Sequence, residues 1–432
     1  MKTVAFHTLG CKVNTYESEA MKKLFIQDDY EVVDFKECAD VYVINTCTVT
    51  NTGDAKSRQM IRRAIRTNPL ACVVVVGCYS QVASQEIEAI EGVGVILGTQ
   101  HRNQIVEYVK QYNATHQLIN VVENIMQTQR FEDLKVASFS ENTRAFLKIQ
   151  DGCNNFCTYC IIPYARGLVR SRPKESVIEE AKALVANGFV EIVLTGIHTA
   201  GYGLDLEDYN FVDLLKDLCH EVKGLKRLRI SSIETSQISE EMMALLAQEN
   251  IIVEHLHIPL QSGCDSVLKR MNRKYTTQAY LEKVKRIREL MPDIALTTDV
   301  IVGFPQESEE EFATTVNFIQ EVGYSSLHVF PYSQRRNTPA AKMSGQIPEN
   351  IKQQRVHTLL DLSQQLHQQY ASRFIGRVVE VIFEEVASDG ELVGHADNYL
   401  KVKAHGPKSW IGEITKIQIE EYQTPYCLGK AV

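Results

Sequence analysis

Residues 150–160 of this chain are Gln-Asp-Gly-Cys-Asn-Asn-Phe-Cys-Thr-Tyr-Cys, and this stretch is more informative than any other. It places Cys153, Cys157 and Cys160 in the pattern C-x3-C-x2-C on one loop that begins with a glycine. Three thiolates on a tight loop can each bind one iron of a 4Fe–4S cluster, which leaves the fourth iron without a protein ligand. Such an iron can bind a small chelating molecule and pass it an electron.

Two other interpretations of these cysteines are a zinc site and an ordinary buried cluster. A structural zinc ion takes four ligands, and no fourth Cys or His stands near the loop in the sequence. Cysteines that only pack have no reason to crowd on one short loop. The spacing therefore favours an iron–sulfur cluster.

The same cysteines, with the aromatic Tyr159 before the last of them, resemble the signature of the radical S-adenosylmethionine (SAM) superfamily. In that superfamily the open iron chelates SAM, and one electron cleaves SAM to methionine and a 5′-deoxyadenosyl radical. The resemblance implies that the cofactor carries the difficult chemistry, while the protein positions it and excludes water.

Length and composition narrow the class of protein. A chain of 432 residues predicts two or three domains, and 44% hydrophobic with 23% charged residues is typical of a soluble globular protein. No apolar run approaches the roughly 20 residues that span a bilayer, and the start lacks a signal peptide, so we expect no membrane association. Eleven cysteines then indicate metal or catalytic use in a reducing cytoplasm. The net charge of −8 argues weakly against nucleic acid.

Residues 1–130 alternate short apolar strands with amphipathic helices, which predicts an α/β domain with a doubly wound parallel sheet. Three cysteines, Cys11, Cys47 and Cys78, each follow a predicted strand directly. Ligands of open α/β sheets gather at the carboxyl ends of the strands, so these thiolates are expected to converge on a second cluster with one open iron. The alternative is three unrelated small residues at strand ends.

Residues 131–143 are predicted to be a polar linker, and the strand–helix alternation resumes on a longer scale in residues 144–372. Six strand–helix units predict a partial, open-sided (β/α)6 barrel with its functional groups at the carboxyl ends of the strands. Residues 373–432 are rich in short β runs and predict a small antiparallel β-barrel of about five strands. Barrels of this kind often bind RNA.

Two three-cysteine sets, a central barrel and a small C-terminal barrel together resemble the radical SAM methylthiotransferase family, and the resemblance covers the whole chain. It implies two 4Fe–4S clusters, SAM as a cofactor, and a C-terminal TRAM domain that binds RNA. Residues 8–14, Thr-Leu-Gly-Cys-Lys-Val-Asn, look like the branch that acts on N6-threonylcarbamoyladenosine (t6A) at position 37 of tRNA. One departure is Gln306, where the family usually has Gly, and no chemical group is lost there.

The resemblance also implies a set of SAM-binding residues in the barrel. Gly196 allows a close approach of the backbone to a ligand, and Arg273 offers a fork of donors for a carboxylate. The alternative, for each residue of the set, is that it is an ordinary polar loop residue that binds no ligand. The expected cofactor-binding residues are Tyr159, Thr195, Gly196, Ser232, Glu234, Gln261, Arg273, Gly303 and Phe304.

Basic residues that flank the expected site are candidates for tRNA contact, with solvated helix faces as the usual alternative. The C-terminal domain is not basic overall, since residues 373–432 contain seven Lys or Arg against nine Asp or Glu. The candidates are Lys56, Arg58, Arg62, Arg63, Arg66, Lys269, Arg270, Lys274, Lys401, Lys403 and Lys408.

The resemblance implies tRNA as substrate and an electron donor such as flavodoxin or ferredoxin, and it leaves the sulfur source open. We expect a monomer. Rival substrates within the family are isopentenyl-adenosine in tRNA and a ribosomal protein. A rival from another class is a non-enzymatic iron–sulfur RNA-binding sensor. Such a sensor needs no SAM pocket, so the glycine-containing strand ends at 195–196 and 303 argue against it.

Overall fold

The structure is a computed structural model and describes residues 1–136 and 143–432. The predicted linker at residues 131–143 falls partly outside the described residues, and residues 131–136 form no helix or strand. Among the described helices, none combines the length and apolar character needed to cross a membrane.

The N-terminal part forms a six-stranded parallel sheet in the order β2-β1-β3-β4-β5-β6. Its central strands are continuous apolar runs because helices cover both faces, and alternate residues such as Val43 and Ile44 belong to separate cores. The strands are β1 (Lys2–Thr8), β2 (Tyr30–Val33), β3 (Val41–Thr46), β4 (Cys72–Gly77), β5 (Val93–Ile96) and β6 (Ile119–Asn120). The helices are α1 (Lys12–Gln27), α2 (Asn51–Thr67), α3 (Cys78–Val82), α4 (Ser84–Glu88) and α5 (Ile105–Thr115). The predicted parallel sheet is confirmed.

The central part contains six parallel strands. They are β7 (Ala145–Asp151), β9 (Glu191–Gly196), β10 (Arg227–Ile230), β11 (His255–His257), β12 (Ala295–Val302) and β13 (Ser326–Pro331), with the short β8 (Arg170–Ser171) antiparallel to β7. Two runs, β7-β9-β10 and β11-β12-β13, are joined by the parallel bridges Leu228–Ile252 and Ser232–His257. Among the described residues β13 does not pair with β7, so the barrel is partial and open-sided, as predicted.

Helices cover the outside of this barrel and enclose the largest apolar core of the molecule. They are α6 (Ile162–Arg166), α7 (Lys174–Ala186), α8 (Phe211–Glu221), α9 (Glu240–Gln248), α10 (Asp265–Arg270), α11 (Thr277–Leu290), α12 (Glu309–Val322) and α13 (Glu349–Ser372). The longest, α13, packs on β13 and leads into the last part of the chain.

Five strands close the C-terminal part into a small barrel, which confirms the predicted architecture. They are β14 (Val378–Val386), β15 (Leu392–Ala396), β16 (Lys401–Ala404), β17 (Ile414–Gln423) and β18 (Tyr426–Ala431). All pairs are antiparallel except β16 with β18. Short Asp-Gly and Gly-Pro turns separate the strands and limit their length.

The two other parts of the chain both pack at the central barrel. From the N-terminal side, Arg335 Nη2 bonds to Asp54 and Thr48, each at 2.7 Å. From the C-terminal side, Arg229 Nη1 donates to the Asp397 carbonyl at 3.0 Å. One space is therefore bordered by three parts of the chain: the carboxyl edge of the N-terminal sheet, the carboxyl ends of the barrel strands, and the turn between β15 and β16.

Candidate functional site

The barrel cysteines lie on the loop that follows β7. The loop turns at Gly152, whose φ is 76° and where a Cβ would lie 1.9 Å from the Leu168 carbonyl oxygen, so only glycine fits. The Cys153 amide donates to the Gly167 carbonyl at 3.0 Å, and the Cys160 amide donates to the Cys157 carbonyl at 2.9 Å. These backbone bonds hold the three thiols on one turn.

The environment of these thiols fits a metal cluster. Burial, with a smaller contribution from neighbouring thiols, raises the pKa of Cys153 to about 11 and that of Cys160 to about 12. A bound cation removes that penalty because it stabilises the thiolate. Arg273 Nη1 lies 3.3 Å from Sγ of Cys157 and can donate to it.

The spread of the sulfur atoms distinguishes a cluster from a single ion. Thiolates on one tetrahedral zinc ion lie about 3.8 Å apart. Among the described residues, His257, Asp299 and His328 are the group of three possible ligands whose atoms all lie within 4.8 Å, and neither cysteine triad is that compact. The wider spacing of three thiols, with one iron position left for another ligand, fits a 4Fe–4S cluster.

The second cysteine set lies at the carboxyl edge of the N-terminal sheet. Cys11 precedes α1, Cys47 follows β3, and Cys78 is the first residue of α3 directly after β4. Because β1, β3 and β4 are neighbours, their carboxyl ends lie side by side. A Cβ on Gly10 would lie 3.2 Å from the Cβ of Cys47, which shows how closely the first two loops approach.

The three thiols of this set act on one another electrostatically, and this also fits a shared cluster. Burial raises the pKa of Cys78 to about 12, with Arg166 acting against the rise and Cys11 and Cys47 contributing to it. Burial likewise raises the pKa of Cys47. Both buried thiols therefore gain from a cation that binds them as thiolates.

A buried ionic network joins this edge of the sheet to the barrel. Arg166 Nε donates to Cys78 Sγ at 3.1 Å, and Nη2 donates to Glu17 at 3.0 Å. Lys148 Nζ donates to Glu17 at 2.7 Å and to Asp151 at 2.6 Å. All four charged side chains are almost fully buried, so their charges must be matched within the network.

Burial alone would raise the pKa of Glu17, but Arg102, Arg166 and Lys148 outweigh it and hold the pKa well below its ordinary range. Arg102 also bonds to Glu132 at 2.8 Å. Glu17 is therefore an ionised carboxylate at neutral pH, and it stands at the centre of three cations.

A cavity of about 740 Å³ lies between the cysteine edge of the sheet and the mouth of the barrel. Its walls come from the first turn after β1, from the carboxyl ends of barrel strands, from α13, and from the turn between β15 and β16. The lining includes Gly10, Cys11, Lys12, Thr195, Gly196, Arg229, Ser231, Ser232, His255, His257, Asp299, His328, Asn398 and Tyr399.

Lys12 has a distinctive place in this cavity. Its side chain is exposed and lines the cavity. Desolvation by the surrounding protein and repulsion from Arg144 and Arg229 lower the pKa of Lys12 to about 8. Among the described residues, Lys12 Nζ has neither a hydrogen-bond acceptor nor an ion-pair partner.

Two histidines hold Asp299 at the barrel side of the cavity. His257 Nε2 lies 3.3 Å and His328 Nδ1 lies 3.4 Å from the two carboxylate oxygens. Burial would raise the pKa of Asp299, but hydrogen bonds from the two rings lower it. The carboxylate is therefore ionised and already matched by its neighbours.

The structure places seven of the nine expected SAM-binding residues in three locations. Thr195, Gly196 and Ser232 line the large cavity at the ends of β9 and β10. Glu234 and Arg273 form an ion pair beside Cys157. Gln261 and Tyr159 line a smaller cavity of about 240 Å³, which Cys160 and Tyr332 also border.

Gly303 and Phe304 lie elsewhere. Phe304 is fully buried, and its ring meets the Tyr332 ring edge-on with centroids 5.5 Å apart. A Cβ at Gly303 would lie 2.4 Å from Cγ of Lys352, so this glycine permits close packing of α13. Neither residue lines the two cavities described above, and their expected contact with adenine stays a prediction.

The candidate RNA-binding residues differ in how far their charges are already matched. Lys56, Arg62 and Arg66 are exposed along α2, and Arg63 is half-buried beside them. Arg58 bonds to the hydroxyl of Tyr79 at 2.8 Å.

In the barrel, Arg270 is held by Glu311 through bonds of 2.9 and 2.6 Å, while Lys269 and Lys274 are exposed. In the C-terminal barrel, Lys403 pairs with Asp389 and Glu391. Lys401 lies over the Tyr426 ring at 4.9 Å, and Lys408 is exposed. Among the described residues, the exposed candidates without an acidic partner are thus Lys56, Arg62 and Arg66 on α2, Lys269 and Lys274 in the barrel, and Lys408.

Several residues of this site were not singled out from the sequence. They are Lys12, Asn14, Glu17, Lys148, Asp151, Arg166, Arg229, His255, His257, Asp299, His328 and Tyr399. One usable signal was the charged Asp151 and Arg166 close to the cluster loop, since charged side chains on apolar strands and helices need partners.

Models of protein families match three parts of the chain. The Radical SAM superfamily matches residues 147–319, the uncharacterized protein family UPF0004 matches residues 3–98, and the TRAM domain matches residues 372–432. The fold is similar to the solved structure of a radical S-adenosylmethionine methyltransferase, TsrM, from Kitasatospora setae, with a TM-score of 0.59 and 15% identity over 79% of this chain and 77% of that one.

Curated relatives span the whole chain. The threonylcarbamoyladenosine tRNA methylthiotransferase MtaB of Bacillus subtilis (strain 168) is 54% identical over 100% of this chain and 97% of its own length. The protein of the same name from Aquifex aeolicus (strain VF5) is 40% identical over 96% and 100%. A tRNA-2-methylthio-N(6)-dimethylallyladenosine synthase of Clostridium perfringens (strain SM101 / Type A) is 34% identical over 100% and 98%.

The barrel with its cysteine loop defines a radical SAM enzyme that carries a TRAM domain. Identity at full coverage narrows the class, and the chain belongs to the radical SAM tRNA methylthiotransferase family. Its cofactors are SAM and two 4Fe–4S clusters.

Proposed function

We propose that this protein converts t6A at position 37 of tRNA to 2-methylthio-t6A. The observation that carries the proposal is the cavity of about 740 Å³, which Cys11 borders on one side and the strand ends Thr195 and Gly196 border on the other. In this proposal a nucleobase occupies that space beside Cys11 and faces SAM bound at Thr195 and Gly196, so that sulfur and radical reach one carbon atom.

The two cysteine sets divide the chemistry in this proposal. Cys153, Cys157 and Cys160 hold one cluster, and Cys11, Cys47 and Cys78 hold the other. When bound, the first cluster with SAM would supply a radical that removes hydrogen from C2 of adenine, the second cluster would hold the sulfur to be inserted there, and SAM would supply the methyl group.

The remaining roles fall to the chain's own polar groups. Thr195 and Gly196 bring backbone close to the SAM amino group, and Ser232 and Gln261 offer hydrogen bonds to its ribose and methionine moieties. Arg273 orients the cluster loop through Cys157 and is bonded to Glu234. It can bind the SAM carboxylate if the ligand displaces Glu234 from the guanidinium.

The choice of t6A over isopentenyl-adenosine rests on the lining of the cavity and on the relatives. The wall contains Lys12, serines, histidines and an asparagine, which suit a polar, negatively charged substituent better than an apolar dimethylallyl group, and its one carboxylate, Asp299, is held by two histidines. The three relatives named for threonylcarbamoyladenosine are 54%, 40% and 34% identical.

Mass spectrometry of tRNA nucleosides tests the proposal. Cells that lack the gene should accumulate t6A and lose 2-methylthio-t6A, and the purified enzyme should restore the product on their tRNA in the presence of SAM and a reductant. Loss of 2-methylthio-isopentenyl-adenosine, with 2-methylthio-t6A unchanged, would assign the protein to the other tRNA branch.

A further inference from the structure

We propose that Lys12 binds the carboxylate of the threonyl group, so that this lysine selects the anionic substrate. The inference rests on the proposed function, because the carboxylate belongs to t6A. It adds a binding subsite to the cavity and names the chemical group that occupies it.

The charge balance of the cavity wall points to this lysine. Apart from the histidines, the acidic and basic side chains of the lining are those of Lys12, Arg229 and Asp299. Arg229 is paired with Glu191, with Nε and Oε1 2.6 Å apart, and Asp299 is hydrogen-bonded by two histidine rings. Lys12 alone among these three has no hydrogen-bond or ion-pair partner in the described residues, so its ammonium group is free to bind an anion.

Two arginines act on Lys12 electrostatically, and both are already paired. Besides desolvation, repulsion from Arg144 and Arg229 contributes to the lowered pKa of Lys12. Each of them is bonded to a carboxylate, Arg144 to Glu384 at 3.0 Å. A carboxylate on the ligand is the group that would complete the set, and it would form a charge-assisted hydrogen bond with Lys12 Nζ.

A second unsatisfied polar group lies in the same wall. His255 is 7% exposed, and its Nδ1 has no hydrogen-bond partner among the described residues. Its ring stacks on Tyr399 with centroids 4.8 Å apart, and its other nitrogen meets Thr297 at 3.0 Å. Lys12 and His255 line the same cavity, so one substituent can meet both of them. The carbamoyl and hydroxyl groups of the threonyl substituent can satisfy His255.

The position of Lys12 suits the shape of the substrate. Lys12 follows Cys11, whose cluster must lie at C2 of the adenine in the proposed reaction. The N6 substituent projects from the same base, one ring atom beyond N1, so a side chain next to Cys11 can reach it. An apolar dimethylallyl group in this place would leave the ammonium group desolvated and unpaired, which is costly.

Binding measurements separate the carboxylate from the other anions of tRNA. The cluster-loaded enzyme, kept anaerobic and without SAM, is titrated with three versions of one anticodon stem-loop: t6A, its threonyl methyl ester, and unmodified adenosine. The wild type should bind the t6A form most tightly. Lys12→Met should weaken that form by about tenfold, to the level of the ester, and leave the other two unchanged.

Two further variants control for charge and for position. Lys12→Arg keeps the cation and should keep the preference for t6A, whereas Lys23→Met changes a lysine of the same helix outside the cavity and should change nothing. Iron content must stay at the wild-type value in each variant, which separates a substrate contact from a contact with the cluster.

Three results would overturn the proposal. If Lys12→Met retains the preference for t6A over its ester, Lys12 does not bind the carboxylate. If it weakens all three stem-loops equally, Lys12 contacts a backbone phosphate. If it lowers iron content, its partner is the cluster. A wild type that shows no preference for t6A over adenosine, or forms no 2-methylthio-t6A, would instead sink the proposed function itself.

Discussion

Arg166 Nε donates a hydrogen bond to Sγ of Cys78 at 3.1 Å, across the boundary between the N-terminal sheet and the barrel. Arg166 stands six residues after Cys160, at the end of α6. One fully buried guanidinium therefore ties a thiol of the second cysteine set to the chain that carries the first. Its other nitrogens bind Glu17, Asn14 and Asp151, so the two sets are held at a fixed separation.

Arg166→Leu should destabilise the boundary strongly. The change leaves Glu17 and Asp151 with fewer cations in a dry environment, and breaking such a buried pair costs about 3–5 kcal/mol. Urea unfolding of the metal-free protein, followed by circular dichroism, measures the loss. The matched change Arg286→Leu, in an exposed ion pair, should leave the midpoint unchanged. Equal midpoints for Arg166→Leu and the wild type would contradict the role of this network.

The same network predicts a dependence of stability on pH. The pKa of Glu17 in the folded protein lies below its ordinary value of 4.5, so the folded state binds this proton less readily than the unfolded state. The stability it contributes is complete above about pH 4.5 and is lost as the pH falls further, through the folded pKa. Glu17→Gln should lower the urea midpoint at neutral pH and reduce the additional loss in acid. If Glu17→Gln loses as much stability in acid as the wild type does, Glu17 is not the source of that loss.

Cys157→Ala should abolish cleavage of SAM. Removing one of three thiolates prevents stable assembly of the barrel cluster, so iron should fall from about eight to about four atoms per chain. The measurements are iron content and 5′-deoxyadenosine formed with dithionite. Cys38→Ala, an exposed cysteine outside both sets, serves as the control. Wild-type amounts of 5′-deoxyadenosine from Cys157→Ala would be incompatible with the assignment of this loop.

Cys47→Ala should separate the two chemistries. The barrel cysteines are intact in this variant, so it should still form 5′-deoxyadenosine, but it should make no 2-methylthio-t6A because the sulfur site is lost. Both products are measured in one anaerobic reaction with t6A-containing tRNA. Methylthio product at the wild-type rate would mean that the second cysteine set is structural.

Replacing Arg62, Arg63 and Arg66 together by Gln should weaken tRNA binding and flatten its dependence on salt. Each lost phosphate contact means that fewer counterions are released when tRNA binds. The slope of log affinity against log salt concentration should therefore become less steep. Cleavage of SAM without tRNA should be spared. The control replaces three lysines away from the cavity, Lys182, Lys223 and Lys226. If the salt slope of the arginine variant is unchanged, this face of α2 is only solvated and does not contact tRNA.

Much of this architecture follows from local sequence pattern. The strand–helix alternation of residues 1–130 and 144–372 is visible in the sequence because most of these elements are amphipathic or continuously apolar over their own length. The short β2 and β6 have only four and two residues, which carry too little pattern to predict them. The placement of cysteines after strands could be foreseen for the same local reason.

The sequence by itself determined the two cysteine sets, the order of three folded parts and the family, because these depend on spacing and alternation along the chain. Only the tertiary structure decided which charges are matched. Glu17 meets Arg166 across 149 residues, and Arg270 and Lys403 are taken up by acidic partners that no local pattern indicates. It also left Lys12 unpaired in a cavity built from all three parts. Burial and pairing depend on which distant segments come together, and a desolvated charge acquires its partner only there.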